Sequence, residues 1–222
     1  MPADRAIDIA VFARAPVPGE AKTRLIPMLG AAGAAALQRQ LIERTLATAC
    51  AVPAARVTLW VAGDPAHPFI VAAAARFGIP VAGQAGADLG ARMHRAFVQT
   101  AAPLVLIGTD CPQLRPDDLA AAAAALDRHD VVIQPATDGG YVLIGLARPQ
   151  PALFESIDWG GPQVLQQTRA RIAVLGLRCV LRPALDDLDT PADLQRALAA
   201  GLLEATDAGT EPGPGRIPGR AG

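Results

Sequence analysis

Short, predominantly apolar runs, separated by helical stretches, recur along this chain of 222 residues. They occupy 7–13, 57–62, 79–82, 104–108, 131–135, 141–146 and 177–181. A strand with one wet face must alternate apolar and polar residues. A strand with no polar face has to be covered on both sides, as happens when crossover helices connect parallel neighbours. The intervening stretches 31–51, 66–77, 90–100, 117–127, 162–172 and 191–200 read as those helices. The expected fold class is therefore α/β, a three-layer αβα arrangement around a mainly parallel sheet. One domain over 1–206 is expected, because a single core can still serve a chain of this length. The remainder, 207–222, is a Gly/Pro-rich tail with little apolar content to offset chain entropy, and it reads as disordered.

Composition narrows the chemistry. Lys and Arg total 20 against 21 Asp and Glu, a net charge of −1, so the chain lacks the positive surplus that nucleic acid or an anionic membrane surface requires. No apolar run approaches the ~20 residues of a membrane span, and the first residues do not open as a signal peptide. Cys50, Cys111 and Cys179 form neither a disulfide framework nor a C-x-x-C metal site, which suits a reduced cytoplasmic protein. The sole serine, Ser156, has no glycine elbow, so a serine hydrolase is disfavoured. His67, His94 and His129 are too scattered for a zinc site. Carboxylates remain as metal ligands, with Mg²⁺ or Mn²⁺ as the matching metal.

In an open parallel sheet, ligands bind beyond the carboxyl ends of the strands, and five polar blocks stand at such ends. The first, Ala13 to Leu25, carries Arg14, Lys22 and Arg24 on a loop shaped by Pro16, Pro18 and Gly19 ahead of a helix, a setting that suits phosphate. It matches neither a P-loop nor a dinucleotide fingerprint. Lys22 is singular here, since Arg fills every other cationic position. The second block, Thr109-Asp110-Cys111, follows the most apolar strand and fixes a carboxylate on rigid backbone. Cys111 beside it reads as a packed residue and not a nucleophile. In the third block, Asp138-Gly139-Gly140-Tyr141 is both a hairpin signal and a place where backbone can approach a ligand. The fourth holds Gln84, Asp88 and Gly90, where Asp88 suits either a nucleotide contact or a helix cap. In the fifth, Asp187 and Asp189 alternate before Thr190-Pro191, so an extended path would put both on one face. Trp159, next to Gly160 and Gly161, suits stacking on a sugar or base as well as packing.

Taken in order, these blocks resemble the GT-A superfamily of nucleotide-diphospho-sugar transferases. Within it, they are most similar to the radical-SAM/selenodomain-associated transferase 1 family, which is related to 2-phospholactate guanylyltransferase. The resemblance implies that Arg14, Lys22 and Arg24 hold nucleotide phosphates, with Gln84, Asp88 and Gly90 completing the nucleotide site. Asp110 would stand at the superfamily's metal position, joined by Asp189 and Asp187. The first loop lacks the Gly-Gly signature of sugar-nucleotide pyrophosphorylases, and Thr109-Asp110-Cys111 offers one carboxylate where many relatives carry two. The implied activity is metal-dependent glycosyl transfer from a nucleotide-sugar to a small-molecule acceptor. Asp110 and Asp138 would be its catalytic residues, and Gly139, Gly140, Tyr141 and Trp159 would line the sugar or acceptor pocket. The alternative is a nucleotidyltransferase joining an NTP to a small phosphorylated acid or sugar phosphate.

Overall fold

A computed structural model describes residues 7–100 and 103–203; the tail from 207 lies outside the described residues. Seven strands form one sheet: β1 (Ile7–Arg14), β2 (Ala55–Ala62), β3 (Val81–Gly83), β4 (Leu104–Gly108), β5 (Val131–Pro135), β6 (Tyr141–Leu146) and β7 (Cys179–Leu181). Their order is β3-β2-β1-β4-β6-β5-β7. All pairings are parallel except those of β6, which runs antiparallel to both β4 and β5. The Asp138-Gly139-Gly140 hairpin signal is thus realised as the β5–β6 turn.

The central strands β1, β4, β5 and β6 are mostly buried because both faces of the sheet are covered. Along β1, Ile9, Val11 and Ala13 point into one core and Ala10 and Phe12 into the other. The first core is closed by α1 (Ile26–Cys50), α2 (Pro68–Phe77) and α4 (Pro116–Ala125), which supply Ile42, Leu46, Ile70, Leu119 and Ala122. The second is closed by α3 (Leu89–Gln99), α5 (Val164–Val174) and a 3-10 turn at Pro151–Phe154, through Met93, Phe97, Ile172 and Phe154. A third cluster joins Leu37 and Leu41 of α1 to Leu194 of α6 (Pro191–Ala199), with Leu25 and Leu188 between them.

Three boundaries differ from the sequence reading for identifiable reasons. Helix α1 begins at Ile26 and not at 31, because the chain enters a first turn before Gly30 breaks the helical path at φ 69°, ψ 168°. Helix α2 begins at Pro68 and not at 66, since His67 caps it by accepting from the Phe69 N–H at 3.2 Å. The third strand starts at Val81 and not at 79, just after Pro80, whose carbonyl accepts from Leu59 N–H.

Candidate active site

One open cleft of about 770 Å³ lies over the carboxyl ends of β1 and β4 and the start of β6. It gathers residues from all five blocks: Arg14, Lys22, Arg24, Gln84, Asp110, Asp138, Gly140, Tyr141, Asp187 and Asp189. Arg92, which the sequence reading did not single out, also lines it.

The first loop leaves β1 at Arg14 and ends in a 3-10 turn over Thr23–Leu25. Lys22 adopts a left-handed backbone, φ 46° and ψ 46°, between the fully buried Ala21 and the 3-10 turn. Its ammonium contacts Asp110 Oδ1 at 2.8 Å and Asp189 Oδ1 at 3.3 Å, and donates to the Leu188 carbonyl. Arg24 pairs with Asp189 Oδ2 at 3.3 Å. Arg14 is exposed on the cleft, and Arg92 donates to the Gly86 carbonyl at 3.3 Å; neither has a carboxylate partner among the described residues.

Two elements hold the acidic side of the site. Asp110 follows β4, and its carbonyl accepts from Leu188 N–H at 2.7 Å, docking the late segment onto the strand end. Leu188 is buried in the third cluster while its neighbours Asp187 and Asp189 both face the cleft, as alternation in an extended path requires. The following helix secures this segment: Asp193 Oδ2 accepts from the N–H groups of Asp189 and Thr190, and the Thr190 hydroxyl accepts from Asp193 N–H. Buried Gln38 of α1 ties β1 to β4, donating to Thr109 Oγ1 at 3.3 Å and to the Arg14 carbonyl at 3.4 Å. Thr109 in turn donates to Asp110 Oδ1 at 3.4 Å. Gln38 was missed in the sequence, although it sits on the buried, mostly apolar stripe of Ala34, Leu41 and Ile42. A polar residue on a buried stripe was the available signal.

The Asp138 turn lies beside the Asp187 segment, with Thr137 Oγ1 donating to Asp186 Oδ1 at 2.8 Å, and Asp138 Oδ1 accepts from Gly140 N–H at 2.8 Å. The turn rests on the entry to α5, where Leu165 N–H donates to the Gly139 carbonyl at 2.9 Å. Tyr141 lines the cleft with its ring, but its hydroxyl is buried, and burial pushes its pKa well above the ordinary value. Gln84 donates through Nε2 to the carbonyls of Ala13 at 3.2 Å and Trp60 at 3.0 Å, leaving Oε1 as its free acceptor.

Several anticipated residues serve the scaffold. Asp88 caps α3, accepting from Ala91 N–H at 2.7 Å. Gly90 gives room to Trp159: a Cβ there would lie 2.7 Å from the indole. Trp159 itself packs at 6.4 Å from the Phe154 ring, and it does not line the cleft. Cys111 is buried, and burial pushes its thiol up to about 11, which makes it a poor nucleophile.

Negative charge accumulates around Asp187. Burial, and then the charges of Asp138, Asp189 and Asp110, push its carboxyl up to about 6. These hard oxygen donors fit a small divalent cation, although among the described residues no three His, Cys, Asp or Glu side chains close into a complete metal cage. Mg²⁺ commonly binds through one or two carboxylates plus substrate phosphates and water, so Asp110 and Asp189 would suffice as the protein's share.

Known proteins place this architecture. No curated protein matches the sequence. A structure from Desulfovibrio desulfuricans, assigned by inference as a nucleotide-diphospho-sugar transferase, is 32% identical with a TM-score of 0.77. The match covers 86% of this chain and 85% of that one. The DUF2064 family, described as an uncharacterized protein conserved in bacteria, matches residues 45–161. The chain belongs to the DUF2064 family. That match takes in three of the blocks lining the DUF2064 cleft, those of Gln84, Asp110 and Asp138; the Lys22 loop and the Asp187–Asp189 segment lie outside it. More distant structures share the fold. The 4-diphosphocytidyl-2C-methyl-D-erythritol synthase of Anaerococcus prevotii has a TM-score of 0.61 at 10% identity, over 88% of this chain and 98% of that one. The glucosyl-3-phosphoglycerate synthase of Mycobacterium tuberculosis, solved with Mn²⁺, uridine diphosphate and glucosyl-3-phosphoglycerate, has a TM-score of 0.53 at 13% identity. That match covers 90% of this chain and 78% of the synthase. This DUF2064 chain therefore has the fold of the GT-A-like nucleotidyl and sugar transferases, as the sequence blocks implied.

Proposed function

We propose that this DUF2064 protein is a transferase that takes a glycosyl group from a nucleotide-diphospho-sugar and passes it to a small-molecule acceptor, with Mg²⁺ or Mn²⁺ bound. One observation carries the reading: a single cleft brings Arg14, Arg24 and Arg92 together with the carboxylates Asp110, Asp187 and Asp189 at the sheet edge, with room for a nucleotide and a second group. Arg14, Arg24 and Arg92 meet the diphosphate, where bidentate guanidinium contacts suit its oxygens. Gln84 offers Oε1 to the base or ribose beyond β1. Asp110 and Asp189, with Asp187 beside them, would hold a divalent cation, which when bound would supply neutralising charge for the departing nucleoside diphosphate. Asp138 keeps one carboxylate oxygen clear of the Gly140 hydrogen bond and receives the acceptor hydroxyl's proton across the cleft. Gly140 and Tyr141 shape the pocket beside it. The reaction belongs in the cytoplasm, in keeping with three free cysteines; among the described residues no helix is long and apolar enough to cross a membrane.

Nucleotidyl transfer is the second reading, supported by the likeness in fold to the cytidylyl-handling synthase of Anaerococcus prevotii. Product analysis separates the two. Incubated with Mn²⁺ and a panel of nucleotide-sugars, a glycosyltransferase releases nucleoside diphosphate by slow transfer to water even without its acceptor. A nucleotidyltransferase is silent on that panel and releases pyrophosphate when given an NTP with phosphorylated acids or sugars. Silence on both panels contradicts transfer of either kind.

A further inference from the structure

The only lysine of the chain is held much as a metal ion would be. Its ammonium meets Asp110 Oδ1, Asp189 Oδ1 and the Leu188 carbonyl, three acceptors brought together from the end of β4 and the segment before α6. The Lys22 side chain is 5% exposed, whereas the carboxylates of Asp110 and Asp189 are 47% and 37% exposed. The ammonium therefore lies beneath the two acids, which remain open to the cleft. Residue type is informative at this position. A lysine is a compact point charge with three donors on a flexible stem, able to fill a small cage and to leave it. Arginine serves at every other cationic position, and its planar fork suits neither task.

A divalent cation held by this pair would draw on the same two carboxylates that Lys22 occupies. An ammonium 2.8 and 3.3 Å from these carboxylates would repel a dication held on the same two groups. Resting on the reading of the cleft as a nucleotide and cation site, we infer that Lys22 and the divalent cation are alternative occupants of the Asp110–Asp189 pair. In the nucleotide-free protein the ammonium neutralises the acids. When a nucleotide arrives, its phosphates draw the ammonium away and the metal takes its place. The step exchanges ionic contacts and makes or breaks no covalent bond. Its consequence is reciprocal coupling: phosphate-bearing ligand tightens metal binding, and metal tightens phosphate binding, partly because each frees what the other needs.

Lys22 can be watched directly, since the full chain labelled with ¹⁵N-lysine gives one side-chain ammonium resonance. Titrating Mg²⁺ with inorganic pyrophosphate into the wild-type protein should move that resonance out of its held position. In parallel, Mn²⁺ binding without nucleotide, followed by electron paramagnetic resonance, should be at least about tenfold tighter in Lys22→Gln, which lacks the competing charge. An unmoved resonance, or a variant that binds Mn²⁺ no more tightly than wild type, overturns the exchange. The wild-type titration decides the matter even if the variant does not fold. Where nucleotide and Mn²⁺ bind wild type together but Lys22→Gln gains nothing, only the exchange fails. Where Mn²⁺ binds neither protein with any nucleotide diphosphate, the proposed transferase site fails with it.

Discussion

Gly139 lets the Asp138 turn sit against α5. Its φ of +97° already disfavours a side chain, and a Cβ would fall 2.0 Å from the Pro162 carbonyl oxygen. Because the obstacle is backbone, relief requires moving the turn or the start of α5. Gly139→Ala should therefore destabilise the protein by about 2 kcal/mol or more. In a domain of this size that lowers the melting temperature by at least about 4 °C. A variant melting within a degree of wild type would show that the turn is free of α5. The same residue illustrates what a sequence conceals. Asp138-Gly139-Gly140 signalled a hairpin, and the turn joins β5 to β6, but nothing nearby in sequence pointed to Pro162. Lys22 was legible as singular and as belonging to one site with Asp110 and Asp189, yet those acids lie far along the chain, so its direct pairing with both was not.

Elements were legible where one local cause decided them. The apolar strands announced burial on both faces, and Thr190-Pro191 announced the start of α6. Gln38 was not legible as a site residue, because its meaning depends on which helix face meets the ends of β1 and β4. The antiparallel course of β6 was foreshadowed only by its turn. At the far edge of the sheet, β5 and the connection into β7 are tied by Asp130. Oδ2 accepts from Arg178 N–H at 2.9 Å and from Nε at 3.1 Å, and Oδ1 accepts from Nη2 at 3.2 Å. The hydrogen bonds from the Arg178 side chain, and then from its backbone, hold the Asp130 carboxyl below the usual carboxylate range. A carboxyl depressed in the folded state stabilises fully above its unfolded value of about 3.9, and that contribution is lost as pH falls through the lower folded value. Asp130→Asn should therefore melt slightly below wild type at pH 7, by no more than about 2 °C because the pair is exposed. The gap should close as the pH drops below about 4. A gap that widens in acid would reverse the assigned sign.

Across the whole molecule, the sheet order brings distant segments to one edge. Strands β1 and β4 are neighbours at the centre, so the Arg14–Arg24 loop and Asp110 face each other, and β6 beside β4 delivers Tyr141 and the Asp138 turn. The Leu188–Asp110 backbone bond then adds Asp187 and Asp189. Strand-end placement made this convergence readable in outline, while the pairing of Lys22 and Arg24 with Asp110 and Asp189 emerges only in three dimensions. The most direct measurement is thermal denaturation of wild type and Asp110→Asn against nucleoside diphosphates and nucleotide-sugars of each base, with and without Mn²⁺. A ligand that binds only the folded state raises the apparent stability by about 2.7 kcal/mol at a hundred times its Kd. At least one member of the panel should stabilise wild type by several degrees in a Mn²⁺-dependent manner. Asp110→Asn should fold normally, because its carboxylate is not a packing group, and should lose the Mn²⁺-dependent part. A panel that leaves wild type unmoved, or an Asp110→Asn protein that keeps the full Mn²⁺ response, would contradict a nucleotide and metal site in this cleft.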